Sequence, residues 1–229
     1  MNSTRKLART IGILYVLISI PGIFGLLYVP SVLIVRGDAA ATARKILASE
    51  TLFRAGIVAD LLAQAAFILV ALALYRLLKG VDRNLAALMV ILLVVQIPLA
   101  FAAEVHRLAV LNLLDGASPA SAFGEAQRNA QMMMSLDSFS DGMLVTEIFM
   151  GLWLFPLGVL IWRSGFLPRF LGLLLFVAAL AYFAEAVTWL LLPAYGHAVG
   201  KIAGKLRPLE LVTPLWMLIM GARDRPLVD

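Results

Sequence analysis

Two long runs without a charged residue constrain the fold of this chain more than any other feature. Thr10–Val35 is uncharged over 26 residues, and Asn84–Ala103 is uncharged over 20 residues. An α-helix rises about 1.5 Å per residue, so about 20 apolar residues cross the hydrocarbon core of a bilayer. Each run therefore predicts a membrane-spanning helix rather than a segment of a soluble core.

The composition extends this prediction to the whole chain. Of its 229 residues, 62% are hydrophobic and 14% are charged, whereas soluble domains carry about 25% charged residues. We expect an all-α, six-span transmembrane helical bundle that forms a single domain over residues 1–229. The predicted spans cover residues 10–35, 55–78, 85–112, 138–163, 168–192 and 206–221.

The basic residues cluster at the ends of the apolar runs. The formal net charge is +5, and this placement is typical of contacts with lipid headgroups rather than with nucleic acid. We therefore expect the lipid bilayer as a partner and no nucleic acid. The predicted inner headgroup contacts are Arg76, Lys79, Arg83, Arg163 and Arg169.

The short connections predict the orientation in the membrane. Residues 79–84 and 164–167 are flanked by Arg and Lys, and short basic loops tend to stay in the cytoplasm. The first apolar run is too long for a secretory signal and lacks a cleavage motif, so it predicts an uncleaved span. We expect a multi-pass protein of the bacterial inner membrane with both termini in the cytoplasm.

The stretch RSGFLPR, residues 163–169, permits two interpretations. Gly165 suits the left-handed position that follows a helix, and Pro168 suits the first turn of the next helix. The stretch contains no Gly-x-Gly-x-x-Gly pattern and no phosphate-loop lysine. We expect a tight hairpin between two spans, and binding of a cytoplasmic phosphate is the alternative.

The polar segment at residues 37–54 predicts a short amphipathic helix on the outer side of the membrane, and a flexible loop is the alternative. Asp38 is a candidate N-cap for a helix that begins near Ala39. Glu50 and Arg54 are four residues apart, a spacing that allows an ion pair across one helical turn.

Acidic residues within the apolar spans are the most informative functional signal. A charged side chain at the bilayer centre costs about 2.5–3.5 kcal/mol on insertion scales, so it is normally paired, solvated or neutralised. All five acids of the spans are predicted in the outer half of the membrane. The candidate residues of an outward-facing polar cavity are Asp60, Gln64, Gln96, Glu104, His106, Arg107, Asp141, Glu147, Glu185 and Glu210. The alternative is a set of buried ion pairs with a structural role.

Spacing predicts one pair and disfavours a metal site. Glu104 and Arg107 are three residues apart and can pair on one helix face. Glu104 and His106 point in different directions, and the chain has no cysteine. No metal site and no cofactor are predicted, and no enzyme motif identifies catalytic residues.

Several stretches resemble a bacterial integral-membrane family known as domain of unknown function 4386. The similarity covers nearly the whole chain and is most specific over residues 148–172. It is carried by Gly37-Asp38 with Thr42, Glu50 with Phe53-Arg54, ALYRLLKGVDRNLA (73–86), IFMGLWLFPLGVLIWRSGFLPRFLG (148–172) and LWMLIMG (215–221). This resemblance implies a multi-span bacterial inner-membrane protein, and it implies no activity.

Three functions fit the sequence. The first is a small binding or transport protein for a small polar or lipid-like ligand, with Asp60, Glu147 and Glu185 as groups that respond to cations or protons. The second is a membrane enzyme for a lipid-like substrate, with Glu104, His106 or Asp141 as acid–base candidates. The third is a non-catalytic partner or sensor subunit in which the acids are structural. The sequence leaves the oligomeric state open.

Overall fold

The computed structural model describes residues 3–116 and 119–223, and these residues form an all-α fold without strands. The α-helices are α1 Ser3–Ile23, α2 Val29–Leu33, α3 Ala39–Ala48, α4 Glu50–Leu78, α5 Arg83–Leu114, α6 Glu125–Ser164, α7 Arg169–Leu191, α8 Pro193–Leu206 and α9 Val212–Ile219. A π-helix at Phe24–Tyr28 joins α1 to α2, and 3₁₀ turns occupy Pro119–Ala122 and Arg207–Leu211.

Five helical segments are long and apolar enough to cross a membrane, which confirms the polytopic fold class. They are Thr4–Leu33, Glu50–Leu78, Arg83–Leu114, Glu125–Ser164 and Arg169–Leu191. The sixth predicted span, at 206–221, is helical but short. It consists of a 3₁₀ turn and the eight-residue α9. Pro208 lies at the start of the 3₁₀ turn, and its missing N–H leaves one regular helical bond unmade there.

The predicted short helix at residues 37–54 is confirmed as α3. Asp38 Oδ1 accepts a hydrogen bond from the Ala41 N–H at 2.8 Å, so Asp38 is the N-cap. α4 begins directly afterwards, and Arg54 Nε lies 2.7 Å from Glu50 Oε1 within its first turns. The predicted ion pair between these two residues is therefore present.

The RSGFLPR stretch forms the expected tight connection between α6 and α7. Gly165 has a φ of 68°, the left-handed conformation predicted for the residue after the helix. The Ser164 hydroxyl donates to the Ile161 carbonyl at 2.9 Å and accepts from the Leu167 N–H at 3.2 Å. Pro168 lies at the N-cap of α7, one residue before the first turn.

The described chain divides into two compact units, and every long helix except α7 contributes to both. The first unit contains residues 1–17, 66–97 and 144–229, and the second contains residues 18–65 and 98–143. The core of the second unit includes Val29, Ile46, Phe53, Val110 and Met132.

Close helix packing in the first unit depends on glycines. A Cβ atom on Gly158 would lie 2.8 Å from the Phe176 ring, and one on Gly172 would lie 2.7 Å from the Gly158 carbonyl. A Cβ on Gly151 would likewise lie 3.0 Å from the Phe183 ring. The seven-residue spacing of Gly151 and Gly158 therefore marks the α6–α7 contact, where small residues let two helices approach closely.

Candidate functional site

The second unit contains a buried charged cluster, which we call the Arg107 cluster and define as Asp60, Glu104 and Arg107. Glu104 and Arg107 both lie on α5, and Arg107 Nη1 is 2.9 Å from Glu104 Oε1. Both side chains are 2% exposed, and Asp60 on α4 is fully buried. The pair predicted from the spacing is thus present, in an environment where charge–charge interactions are stronger than in water.

A π-helical turn supplies Arg107 with a further acceptor. The Val29 N–H bonds to the Phe24 carbonyl in the i to i+5 pattern of a π-helix. Continuing this pattern would require an N–H on residue 30, but Pro30 has none, so it cannot bond to the Gly25 carbonyl. Arg107 Nη2 lies 3.5 Å from this carbonyl oxygen and donates to it.

Two glycines leave space for this arrangement. A Cβ on Gly25 would lie 2.5 Å from the Gly56 carbonyl oxygen, and a Cβ on Gly56 would lie 3.0 Å from Arg107 Nη2. The guanidinium carbon of Arg107 also lies 5.4 Å from the centre of the Phe53 ring and 5.1 Å from that of Phe139. These rings favour a buried cation through their electron-rich faces.

Asp60 has the least satisfied carboxyl group of the cluster. Glu104 and Gln64 are polar neighbours of Asp60 and Arg107 interacts with it electrostatically, but neither carboxyl oxygen receives a well-aligned hydrogen bond. Glu104 Oε2 also lacks a donor. The cluster thus contains two carboxyl groups, one guanidinium and three oxygens that can accept a proton or contact a cation.

The first unit contains a second charged cluster, the Arg207 cluster, which comprises Glu147, Glu185, Arg207, Tyr182 and Glu210. Arg207 Nη1 donates to Glu147 Oε1 on α6 and lies 3.3 Å from Glu185 Oε2 on α7. The side chains of Arg207, Glu147 and Glu185 are 25%, 22% and 13% exposed. One guanidinium thus joins two helices by ion pairs that are partly open to the surroundings.

Tyr182 connects Glu210 to this cluster. Its hydroxyl donates to Glu210 Oε1 at 3.2 Å, and the Arg207 guanidinium carbon lies 5.4 Å from the centre of its ring. Glu210 and Arg207 share the 3₁₀ turn at 207–211, which places both near Tyr182 on α7. Glu147, Glu185 and Glu210 each retain a buried Oε2 without a hydrogen-bond donor.

The remaining predicted cavity residues lie outside these contacts. The side chains of His106 and Asp141 are exposed, whereas Glu104, the third acid–base candidate, is buried. Gln64 is half-buried in the second unit, and Gln96 is buried in the first unit. Within the described ranges, no group of three or more His, Asp and Glu side chains is arranged to hold a metal ion.

The predicted headgroup contacts are mostly accessible. Arg76, Arg83, Arg163 and Arg169 are exposed and Lys79 is half-buried. Arg163 lies 3.8 Å from Asp82 across a largely exposed ion pair, and Arg169 lies over the Trp162 ring at 5.9 Å. Accessibility is the property that contact with a headgroup requires.

Sequence reasoning missed Arg207 and Tyr182. Arg207 lies at the start of the predicted span 206–221, and helical spacing gives it no acidic partner there, because its two acids lie 60 and 22 residues away in sequence. A charge balance could have found it, since several acids within the spans require a cation and Arg207 lies three residues before Glu210. No comparable signal identified Tyr182 among the other aromatic residues.

Comparisons with known proteins agree with the membrane fold and leave the activity open. A family model described as Domain of unknown function (DUF4386) matches residues 10–221. An uncharacterized protein of Archaeoglobus fulgidus is 29% identical over 154 residues, which cover 67% of this chain and 76% of the relative. No solved structure matches the chain.

Proposed function

Because the chain belongs to the DUF4386 family, whose description names no activity, we propose a function from its two charged clusters. The protein is a small membrane binding or transport protein whose buried carboxyl groups bind a proton or a small cation. The ligand that binds or moves together with this proton or cation is a small polar or lipid-like molecule.

The excess of carboxyl groups over guanidinium groups supports this proposal. The Arg107 cluster has two carboxyl groups for one arginine, and the Arg207 cluster has three. A buried carboxylate oxygen without a donor is unfavourable by about 1–3 kcal/mol. A proton or a cation satisfies such an oxygen, which makes the charge state of each cluster responsive to its surroundings.

Accessibility suggests a division of roles between the clusters. Glu147, Glu185 and Arg207 are partly exposed and can meet a ligand directly. Asp60 is fully buried, so a proton or cation reaches it only when the surrounding helices move. We therefore assign ligand contact to the Arg207 cluster and a stored proton or cation to Asp60.

Infrared spectroscopy on protein in nanodiscs tests proton binding. A pH jump changes the carbonyl stretch of each carboxyl group that gains or loses a proton. We expect Asp60→Asn and Glu147→Gln each to remove part of this signal. Glu50→Gln is the matched control because Glu50 is exposed and already paired with Arg54.

A cation screen completes this test. Melting temperatures measured in Na⁺, K⁺ and Mg²⁺ should reveal stabilisation by one ion, and the stabilisation should disappear in the variants that lose the infrared signal. If neither protons nor these cations act through the clusters, the acids are structural, and the partner or sensor function replaces this proposal.

The location and orientation form part of the same proposal. We place the protein in a bacterial inner membrane with both termini in the cytoplasm, with the Arg207 cluster reachable from outside and Asp60 reachable from the same side when the helices move. Reporter fusions at residues 121 and 229 should give opposite signals, with residue 229 cytoplasmic. A periplasmic signal at residue 229 would reverse the orientation.

Cysteine labelling tests access from the outer side. The natural chain has no cysteine, so Glu147→Cys or Glu185→Cys introduces a single thiol. Both should react with a membrane-impermeant thiol reagent added outside intact cells. Leu173→Cys should not react, although Leu173 is 53% exposed, because it is predicted at the inner end of its span. Equal labelling at all three positions would exclude one-sided access.

A further inference from the structure

A basic pocket in the first unit is separate in sequence and in its lining from both charged clusters. It has a volume of about 780 Å³, and the described part of its lining comes from the start of α1, the RSGFLPR connection and the end of α9. Arg5, Arg169 and Arg223 line it, and no acidic side chain appears among its described lining residues. We propose that this pocket binds a phosphate group, most favourably that of an anionic phospholipid.

Local backbone geometry holds the arginine-bearing segments together. The Arg223 N–H donates to the Phe166 carbonyl at 2.9 Å, which ties the chain after α9 to the connection between α6 and α7. Gly221 has a φ of 72°, and its N–H lies 3.1 Å from the Met217 carbonyl. The chain therefore turns immediately after α9, as left-handed glycines permit, and directs Arg223 back to the pocket.

Gly221 also sets the position of Arg5. A Cβ atom on Gly221 would lie 2.9 Å from Arg5 Cγ, so the aliphatic stem of Arg5 occupies the space that a side chain would need. Arg169 contributes from the other side of the connection. Its guanidinium carbon lies 5.9 Å from the centre of the Trp162 ring, a contact with an aromatic face that supplies no hydrogen-bond acceptor to the N–H groups.

The available donors match the chemistry of a phosphate group. Within residues 3–116 and 119–223, no carboxylate lies within ion-pair distance of Arg5, Arg169 or Arg223. Guanidinium groups bind phosphate through paired, charge-assisted hydrogen bonds. Three guanidinium groups at one pocket, none with a carboxylate partner among the described residues, create a positive site that favours an anion.

The lining and the size of the pocket favour a phospholipid over free phosphate. Phe166, Trp216 and Met220 line the pocket beside the arginines, and they offer contact to glycerol and acyl groups. Basic pockets at the ends of transmembrane helices are a recognised arrangement for anionic headgroups. This proposal is independent of proton or cation binding, because it shares no residue with either charged cluster.

Titration of the purified full chain with a short-chain phosphatidylglycerol tests the proposal. Binding is followed by native mass spectrometry, with phosphatidylcholine of the same chain length as the zwitterionic comparison. We expect phosphatidylglycerol to bind more tightly, and each of Arg5→Gln, Arg169→Gln and Arg223→Gln to weaken it by about tenfold. Arg44→Gln is the matched control, since Arg44 is an exposed arginine that does not line the pocket.

Inorganic phosphate distinguishes the two sources of the ligand. If inorganic phosphate displaces phosphatidylglycerol from the natural chain, and phosphate binding is lost in the same arginine variants, the free anion is sufficient for binding at this pocket. Binding of phosphatidylglycerol without competition by phosphate would identify the lipid. Unchanged binding in folded variants, or an equal loss in Arg44→Gln, would overturn the proposal. Should a glutamine variant fail to fold, the corresponding lysine variant keeps the charge and loses the paired geometry, and it should still bind phosphatidylglycerol more weakly than the natural chain.

Discussion

Both charged clusters pair an arginine with carboxyl groups among apolar helices, but they do so with different geometry. Arg107 meets its carboxylate within one helix, three residues away, and is almost fully buried. Arg207 meets carboxylates from two other helices and is one-quarter exposed. The local pair needs only a helix to form, whereas the distant pairs need the tertiary fold. From this comparison we expect burial, rather than the number of partners, to decide how much stability is lost when each arginine is removed.

Removal of the arginine should give the largest difference between the clusters. Arg107→Met leaves Glu104 buried without its cation, and breaking a buried pair in this way costs about 3–5 kcal/mol. We expect a loss of about 1–3 kcal/mol for Arg207→Met, because exposure lets solvent compensate for the lost bonds. Reversible unfolding in mixed micelles measures both values.

A double variant controls for this comparison. Glu104→Gln combined with Arg107→Met removes both charges of the pair, so most of the lost stability should return. If the double variant is as unstable as Arg107→Met alone, the loss arises from packing against Phe53 and Phe139 rather than from the unpaired charge.

Addition of a methyl group at a closely packed glycine should give the second-largest loss of stability. Gly25→Ala places a Cβ 2.5 Å from the Gly56 carbonyl, and overpacking of this kind costs about 1–3 kcal/mol. Gly22→Ala is the control on the same helical segment, because its Cβ would lie 3.7 Å from Ala63. Gly200→Ala near Glu185, with a distance of 3.2 Å, should fall between these two. Unfolding of the three variants under the same conditions ranks them.

Removal of the charge on Glu147 or Glu185, the two acids beside Arg207, should lower stability by a smaller amount, and the two losses should differ. Glu147 accepts a hydrogen bond from Arg207, whereas Glu185 lies at 3.3 Å without one. We expect Glu147→Gln to lower stability by about 1 kcal/mol and Glu185→Gln to lower it by less. Added salt should reduce the Glu147 effect, since partly exposed pairs are screened. Equal effects in low and high salt would show that this pair behaves as a buried one.

The exposed pair Glu50–Arg54 should make the smallest contribution to stability of these ion pairs. Both side chains are about half exposed, and exposed i, i+4 pairs contribute about 0.3–0.5 kcal/mol. A double-mutant cycle with Glu50→Ala and Arg54→Ala should give a coupling energy in this range. If the coupling energy of Glu50 with Arg54 exceeded that of Glu147 with Arg207, the expectation that the more buried ion pair contributes more to stability would be wrong.

Features with a local cause could be predicted from the sequence. The long apolar helices, the Asp38 cap, the left-handed Gly165 and the Glu104–Arg107 pair each depend on residues within a few positions of one another. The Arg207 cluster could not be predicted in this way, because it brings together Glu147, Glu185 and Arg207 from three separate segments. The short 3₁₀ segment and α9 also differ from the predicted sixth span, since hydropathy registers apolar residues but not the type or length of the helix that they form.

The π-helix at Phe24–Tyr28 also constrains how the chain can change in length. Each residue advances an α-helix by about 100°, and a π-turn accommodates one residue more than an α-turn. Deleting one residue between Phe24 and Tyr28 would restore regular helical bonding and would leave Val29 and Leu33, both buried in the core, at nearly the same angle around the helix axis, because the α-turn completes the same rotation with one residue fewer. A one-residue deletion at this turn should therefore disturb the core less than a one-residue deletion in the regular part of α1, which would rotate all following residues of the helix by about 100°.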